Sequence, residues 1–326
     1  MPVLSTEVAD RSGLAPRLTG EDVPAIHAVG LTKRYGHIEA LAGLTMSVPR
    51  GEIFGFLGPN GAGKTTAVKL LLGLTSPTAG DAWLLGEPIG RAEARRRVGY
   101  LPELFRYPAW LSPVEVLRFH CRLIGVPRAE RDGEIDSSLT AVGLSDRGGD
   151  RVGTFSKGMQ QRLGLAVAML GAPEIVFLDE PTSALDPVGR HDVREIIRAL
   201  RTKGTAVFLN SHLLSEVEQV CDRVAVVDRG RVIASGTLAE ILGGGAGVRL
   251  RITGLDGLAH LLSRWGEVVA DGEWMTVRGV DPDAVADIVA ELVAQGARVH
   301  AVEPQRHSLE DRFLEVLRIA DDQAVA

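Results

Sequence analysis

The residues best placed to do chemistry form the stretch Gly58-Pro59-Asn60-Gly61-Ala62-Gly63-Lys64-Thr65-Thr66. It follows an apolar run of strand length, Glu52 to Leu57, and precedes Ala67 to Gly73, which is rich in helix formers and closed by a glycine. A buried strand, a glycine-rich turn and a helix start are the context in which G-x-x-x-x-G-K-T cradles phosphate. The glycines let the backbone curl closely around an anion with its N–H groups pointing inward. The helix adds free amides and the positive end of its dipole. In that arrangement Lys64 reaches the β- and γ-phosphates, and Thr65 gives its hydroxyl to Mg²⁺. A glycine turn that carried a lysine by chance would need neither flank. The stretch reads as a nucleoside triphosphate site.

Two more constellations carry chemistry. Ile175-Val176-Phe177-Leu178-Asp179-Glu180 is an apolar strand that runs into paired carboxylates. Alone it would read as a strand ending in solvated acids. Beside a phosphate loop it is the acidic element that holds Mg²⁺, through Asp179, and orients water. Glu180, one residue on, is placed to take a proton from that water. In Thr154-Phe155-Ser156-Lys157-Gly158-Met159-Gln160-Gln161-Arg162, a serine and a glycine precede a helical stretch. A hydroxyl, a glycine backbone and a helix N-terminus form a second anion receptor, and they equally form a plain helix cap. A receptor here serves another anion or completes a site on a second copy.

The elements that must position these groups alternate. Strand-like runs at 175–178, 206–209 and 224–227 are interleaved with helical patterns at 112–143 and 190–203, which predicts a mainly parallel α/β core. Ser112-Pro113-Val114-Glu115 has the spacing of a helix cap with proline at the first helical position. In the second helix Val193, Ile196, Ile197 and Leu200 share one stripe. Ahead of the loop, a strand from Ala25 breaks at Lys33-Arg34-Tyr35-Gly36 and another runs from Ala40 to Val48; 80–85 and 98–101 are short strand candidates. The run Arg95-Arg96-Arg97 reads as a solvated helix face. Residues 1–24 lack periodicity and read as a loose extension. The composition shifts at 243–247, where a domain boundary is expected between a core of 25–242 and a small α+β unit of 248–326. In that unit the pattern gives strand 248–252, helix 258–264, strand 274–278, helix 283–294, strand 298–302 and a last helix capped by Ser308 and Asp311. None of it has catalytic spacing.

Composition narrows the function classes. With 36 basic and 42 acidic residues the net charge is −6, which gives no support to a binder of nucleic acid or anionic membranes. Two cysteines, Cys121 and Cys221, fit a reducing compartment and no disulfide framework. No stretch approaches the roughly 18 apolar residues of a spanning helix, and the charged N-terminus has no apolar signal core. The expectation is a soluble cytosolic chain.

The order of the motifs resembles that of the ATP-binding cassette (ABC) ATPase family: GPNGAGKTT, FSKGMQQR, IVFLDEP, SALD and the histidine of LNSHLL. The resemblance covers about residues 25–240. It implies a P-loop core with a RecA-like parallel sheet, an antiparallel β subdomain and a helical subdomain at about 105–150. ATP would be bound by Gly58, Pro59, Asn60, Gly61, Ala62, Gly63, Lys64, Thr65 and Thr66, with Tyr35 where the family places an aromatic stacked on adenine. Ser156 and Gly158 match the signature residues that touch the γ-phosphate held by the opposite protomer. The family's commonest form of that motif is LSGGQ, and this chain differs from it at Phe155, Lys157 and Met159. Ser183-Ala184-Leu185-Asp186 resembles the loop that couples two protomers, and His212 matches the switch histidine.

The resemblance further implies that Glu180, His212 and Lys64 are catalytic and that Thr65, Glu103 and Asp179 hold Mg²⁺. Glu103 departs from the family, which usually has glutamine there; the added charge implies retuned hydrolysis. Two copies would pair head to tail around two ATP molecules and work on a separate transmembrane permease. Residues Phe105 to Asp150 would be the contact surface, on the inner face of the cell membrane. The FSKGM variant and the tail Glu303 to Leu314 are similar to those of bacterial drug or polyketide export cassettes. The other family reading is a soluble ABC ATPase acting on ribosomes or DNA. A single cassette, no long heptads, too few cysteines and the negative charge weigh against it.

Overall fold

The structure is a computed structural model that describes residues 5–6, 17–20, 22–183, 185–242, 247–254, 257–305 and 308–325. The chain divides into two compact units, one running to Ser235 and one from Gly236. The division falls ahead of the glycine-rich stretch, most of which, 243–246, lies outside the described residues.

In the first unit the chain makes β1 (Ile26–Tyr35), β2 (Ile38–Val48), β3 (Ile53–Leu57), α1 (Lys64–Leu71), β4 (Ala79–Leu84) and β5 (Val98–Leu101). Then come α2 (Pro113–Ile124), α3 (Arg131–Ala141), α4 (Lys157–Met169), β6 (Ile175–Asp179), α5 (Pro187–Thr202), β7 (Ala206–Asn210), α6 (Leu214–Val220), β8 (Arg223–Asp228) and β9 (Arg231–Thr237), whose last two residues run past the division. Six strands form one sheet in the order β9-β8-β3-β7-β6-β5. The pairs β8·β3, β3·β7, β7·β6 and β6·β5 are parallel. Every residue of β3, β6 and β7 is buried, which is why these strands read as unbroken apolar runs: a parallel sheet is covered on both faces. Phe208 on β7 packs its ring against Phe54, Phe56 and Phe177, with centroids 5.1–5.9 Å apart. A second, antiparallel sheet orders β2-β1-β4 and the short strand Glu87–Pro88. Leu70 and Leu71 of α1 share one core with Phe54 and Phe56 of the parallel sheet and with Ile26 and Leu84 of the antiparallel one.

Several local expectations change. The strand from Ala25 does not break at Lys33; it runs to Tyr35 because Gly36 and His37 turn it into a hairpin that pairs Tyr35 with Ile38. Gly36 takes the left-handed conformation that such a turn requires. Helix α5 begins at Pro187, three residues early, because the Asp186 carboxylate accepts the Gly189 N–H at 2.8 Å with proline at the first position. Arg97 is not a bystander on a solvated face: it pairs with Glu174 through two nitrogens, and Arg50 joins the same carboxylate at 2.9 Å. Within the extension, residues 17–20 are seated on the β4 hairpin. Leu18 is buried and its N–H donates to Gly86 at 2.8 Å, while Arg17 pairs with Glu87. The cap of α2 forms as read, with Ser112 and Glu115 bonded reciprocally.

In the second unit, α7 (Leu238–Leu242) precedes β10 (Gly247–Thr253), α8 (Leu258–Leu262), β11 (Glu267–Asp271), β12 (Trp274–Arg278), α9 (Val285–Ala294), β13 (Arg298–Gln305) and α10 (Leu309–Val325). The sheet order is β11-β12-β10-β13, antiparallel throughout. Val248, Leu250, Ile252 and Val277 of the sheet share a core with Leu258, Leu262, Ile288 and Leu292 of α8 and α9. Strand β11 is an addition to the sequence reading; Gly272 and Glu273 turn it into β12. Ser308 and Asp311 cap α10 reciprocally.

Candidate functional site

The loop 58–63 leaves the tip of β3 and enters α1. A Cβ at Gly58 would run into the carbonyl oxygen of Val227. One at Gly63, where φ is +100°, would meet that of Ala40. Both positions therefore need glycine for close backbone approach, and the second brings β2 of the antiparallel sheet against the loop. Asn60 and Gly61, by contrast, are exposed at the loop's crest, with Thr65 exposed in the first turn of α1. That turn offers amides with no partner inside the helix. Lys64 folds back over the loop, its Nζ donating to the carbonyls of Gly58 at 2.7 Å and Pro59 at 3.1 Å.

Three carboxylates lie within electrostatic reach of that ammonium. Burial pulls the Lys64 amine below its ordinary range, and Glu180, Asp179 and Glu103 pull it back up. Asp179, at the tip of β6, is 4% exposed. Burial pushes its carboxyl up, as do the charges of Glu103 and Glu180, against the Asn210 amide and Lys64. Glu180 is 9% exposed and sits at φ +53°, a left-handed backbone rare for a side chain of its size. Its N–H donates to the Asn210 carbonyl at 2.8 Å. Its Oε1 accepts the backbone N–H of His212 at 3.0 Å. The His212 ring brings Nδ1 to 2.7 Å from Oε2, yet Oε2 is buried and accepts no hydrogen bond. The structure thus gathers Lys64, Glu103, Asp179, Glu180 and His212 around the loop.

Tyr35 stands at the tip of the β1–β2 hairpin, 48% exposed, with Lys33 Nζ 5.0 Å from its ring centroid. Ser156 and Gly158 lie elsewhere. Ser156 caps α4, its Oγ accepting the Met159 N–H at 3.2 Å. Beside it opens a cavity of about 390 Å³ lined by Ser156, Lys157, Gly158, Arg162, Leu185, Asp186, Val188, Gly189 and Asp192. None of its lining comes from 58–66, Asp179 or Glu180. Within one chain the phosphate-loop candidate and the Ser156–Gly158 candidate are separate places. Of the loop Ser183 to Asp186, Ala184 lies outside the described residues.

Two residues escaped the sequence reading. Asn210, at the tip of β7, donates from Nδ2 to Asp179 Oδ1 at 2.5 Å; the available signal was a lone amide ending an apolar strand two residues before His212. Tyr100, on β5, has its phenol pushed up to about 12 by burial and by the charges of Asp179 and Glu103.

A family model described as ABC transporter matches residues 41–183. An uncharacterized ABC transporter ATP-binding protein of Synechocystis, sll0415, is 40% identical over 86% of this chain and 79% of its own length. The Nod factor export ATP-binding protein I of Ralstonia nicotianae is 37% identical over 89% of this chain and 93% of its own length. A solved structure of an ATP-binding subunit of an ABC transporter superposes with a TM-score of 0.62 at 32% identity, covering 67% of this chain and 91% of that one. The chain belongs to the ABC transporter family as one of its ATP-binding, ATP-hydrolysing proteins.

Proposed function

We propose that two copies of this chain close head to tail around two ATP molecules, hydrolyse them with magnesium, and drive export through a separate membrane protein. The observation that carries the reading is the group of opposed charges around Lys64, with Glu180 held beside it by His212. In this reading the loop amides, Lys64, Thr65 and Thr66 hold the phosphates, and Tyr35 stacks on adenine. Glu180 takes the proton of the attacking water, and His212 holds Glu180 in place and bonds the γ-phosphate.

The residues fit a magnesium ion. Two buried carboxylates and Glu103 surround one lysine, and Glu180 Oε2 is buried without a protein donor. Among the described residues no three His, Cys, Asp or Glu side chains form a metal cage, as expected where an ion is held by one or two carboxylates and the phosphates of its substrate. Thr65, Asp179 and Glu103 would hold it, and when bound it neutralises charge developing on the phosphates.

Pairing is supported by the separation of the Lys64 loop from Ser156 and Gly158 within one chain. Ser156 and Gly158 of one copy meet the γ-phosphate held by Lys64 of the other. Among the described residues no helix is long and apolar enough to cross a membrane, so the work passes to a permease while the chain rides on the inner face of the membrane. The surface that would meet the permease begins just after Glu103, where Leu104 is 88% and Trp110 73% exposed, and continues over Phe119 and Leu123 of α2. Export is supported by the Nod factor export relative, which aligns along nearly its whole length. The second unit, from Gly236, is an accessory domain of the same subunit.

The test is ATP hydrolysis by the purified chain against protein concentration. Specific activity should rise with concentration as copies pair, and Glu180→Gln should abolish turnover while accumulating an ATP-dependent dimer. Equal activity in a dilute monomer would overturn the two-copy site.

A further inference from the structure

Asn210 and Asp179 stand opposite one another in the parallel pairing of β7 and β6. The Asn210 carbonyl takes the Glu180 N–H at 2.8 Å, and its side-chain nitrogen donates to Asp179 Oδ1 at 2.5 Å. One residue therefore contacts both acids. The side chain is 3% exposed, and its Oδ1 has no hydrogen-bond partner in the protein. The amide cannot be turned round to relieve this, because an ionised carboxylate only accepts and must face the nitrogen. A buried acceptor without a donor is costly, and Lys64, the cation of the site, is engaged with the loop carbonyls instead. The oxygen calls for a donor that is not part of the chain, lying next to Asp179.

We propose that Asn210 is a positioning residue for the metal. Its amide nitrogen occupies one oxygen of Asp179 so that the other turns to the cation, and its amide oxygen accepts a hydrogen bond from a water on that cation. A partner one step behind a metal-binding carboxylate fixes the orientation of that ligand, and its loss weakens metal binding without touching the nucleotide's own contacts. The inference rests on reading the site as a magnesium-dependent ATPase. It adds a residue outside the loop, the paired acids and the histidine.

The test uses Mn²⁺ as the probe, counted by electron paramagnetic resonance in the presence of a non-hydrolysable ATP analogue, on the full chain. Asn210→Leu keeps the branched outline of the side chain, with somewhat more bulk, and removes both polar contacts, while the backbone bond to Glu180 stays. Mn²⁺ affinity of the nucleotide complex should fall about 10–100-fold, with metal-free binding of a fluorescent ATP analogue within about twofold of wild type. Turnover should fall through kcat, with KM for ATP little changed. Wild-type Mn²⁺ affinity in a variant that melts like wild type would overturn the inference and leave the ATPase reading standing. If the wild type itself binds no Mn²⁺ with the analogue, the reading of the site fails and the inference falls with it. Should Asn210→Leu not fold, Asn210→Ala carries the same measurement.

Discussion

His212 meets both oxygens of Glu180: its backbone N–H donates to Oε1 at 3.0 Å, and its ring Nδ1 lies 2.7 Å from Oε2. The histidine thus holds a carboxylate whose backbone is in a left-handed conformation, with its ring 55% exposed and its other nitrogen free of this contact. His212→Ala keeps the backbone bond and loses the ring contact. Its turnover should fall by about 10²–10⁴, the usual worth of a positioned acid–base group, with ATP binding retained. A phosphate-release assay beside a binding titration separates the two.

Glu103 adds a third carboxylate to the environment of Asp179 and Lys64. Removing its charge in Glu103→Gln relieves one of the pushes that raise Asp179, so Asp179 ionises at lower pH. The acid-side fall in turnover should then move to lower pH, and more Mg²⁺ should be needed for half-maximal rate. A pH–rate profile with a Mg²⁺ titration reads both. Identical curves for variant and wild type would remove Glu103 from the site.

The ion pair of Arg97 with Glu174 gives a pH-dependent stability term. Its hydrogen bonds to Arg97 hold the Glu174 carboxyl below its ordinary 4.5. A carboxylate depressed in the folded state contributes stability above its unfolded pKa, and that contribution is lost as pH falls through the folded pKa. Glu174 is 41% exposed, so the pair is worth well under 1 kcal/mol. Arg97→Met should lower the melting temperature by about 1–2 °C at pH 7, and the two melting curves should converge only as pH falls through the depressed folded-state pKa of Glu174, on the acid side of its ordinary range. A gap that persists there would point to lost packing by the arginine stem.

Phe208 is the ring at which Phe54, Phe56 and Phe177 meet, beneath the strand tips that carry the site. Phe208→Ala should cost about 3–5 kcal/mol of the first unit's stability. Urea unfolding followed by circular dichroism should show the transition of that unit at lower urea, with the second unit's own transition unmoved.

What could be read in the sequence was what lies close along the chain. The phosphate loop, the Asp179–Glu180 pair and the caps at Ser112 and Ser308 are each set within a few residues. Burial on both faces made β3, β6 and β7 legible as apolar runs. What could not be read depends on register between distant segments. Asn210 gains its place only because β7 lies beside β6, 31 residues away. Leu18 is held by Gly86, Arg97 by Glu174, and Asn210 again by Glu180. Strand β11 is short and mostly exposed, so its alternation was weak, and the Gly272-Glu273 turn was its one clear mark.

The central claim, that one working site is built from two copies, is tested most directly by mixing two inactive variants. Lys64→Ala lacks the lysine of the phosphate loop, and Ser156→Arg blocks the cavity beside Ser156. In a mixed pair, the intact loop of the Ser156→Arg copy faces the intact Ser156 of the Lys64→Ala copy. Half the pairs in an equimolar mixture are mixed, each with one intact site of two, so about a quarter of wild-type ATP turnover should return on mixing. A mixture as inactive as its parts, with mixed pairs confirmed by differently tagged copies, would contradict the two-copy site.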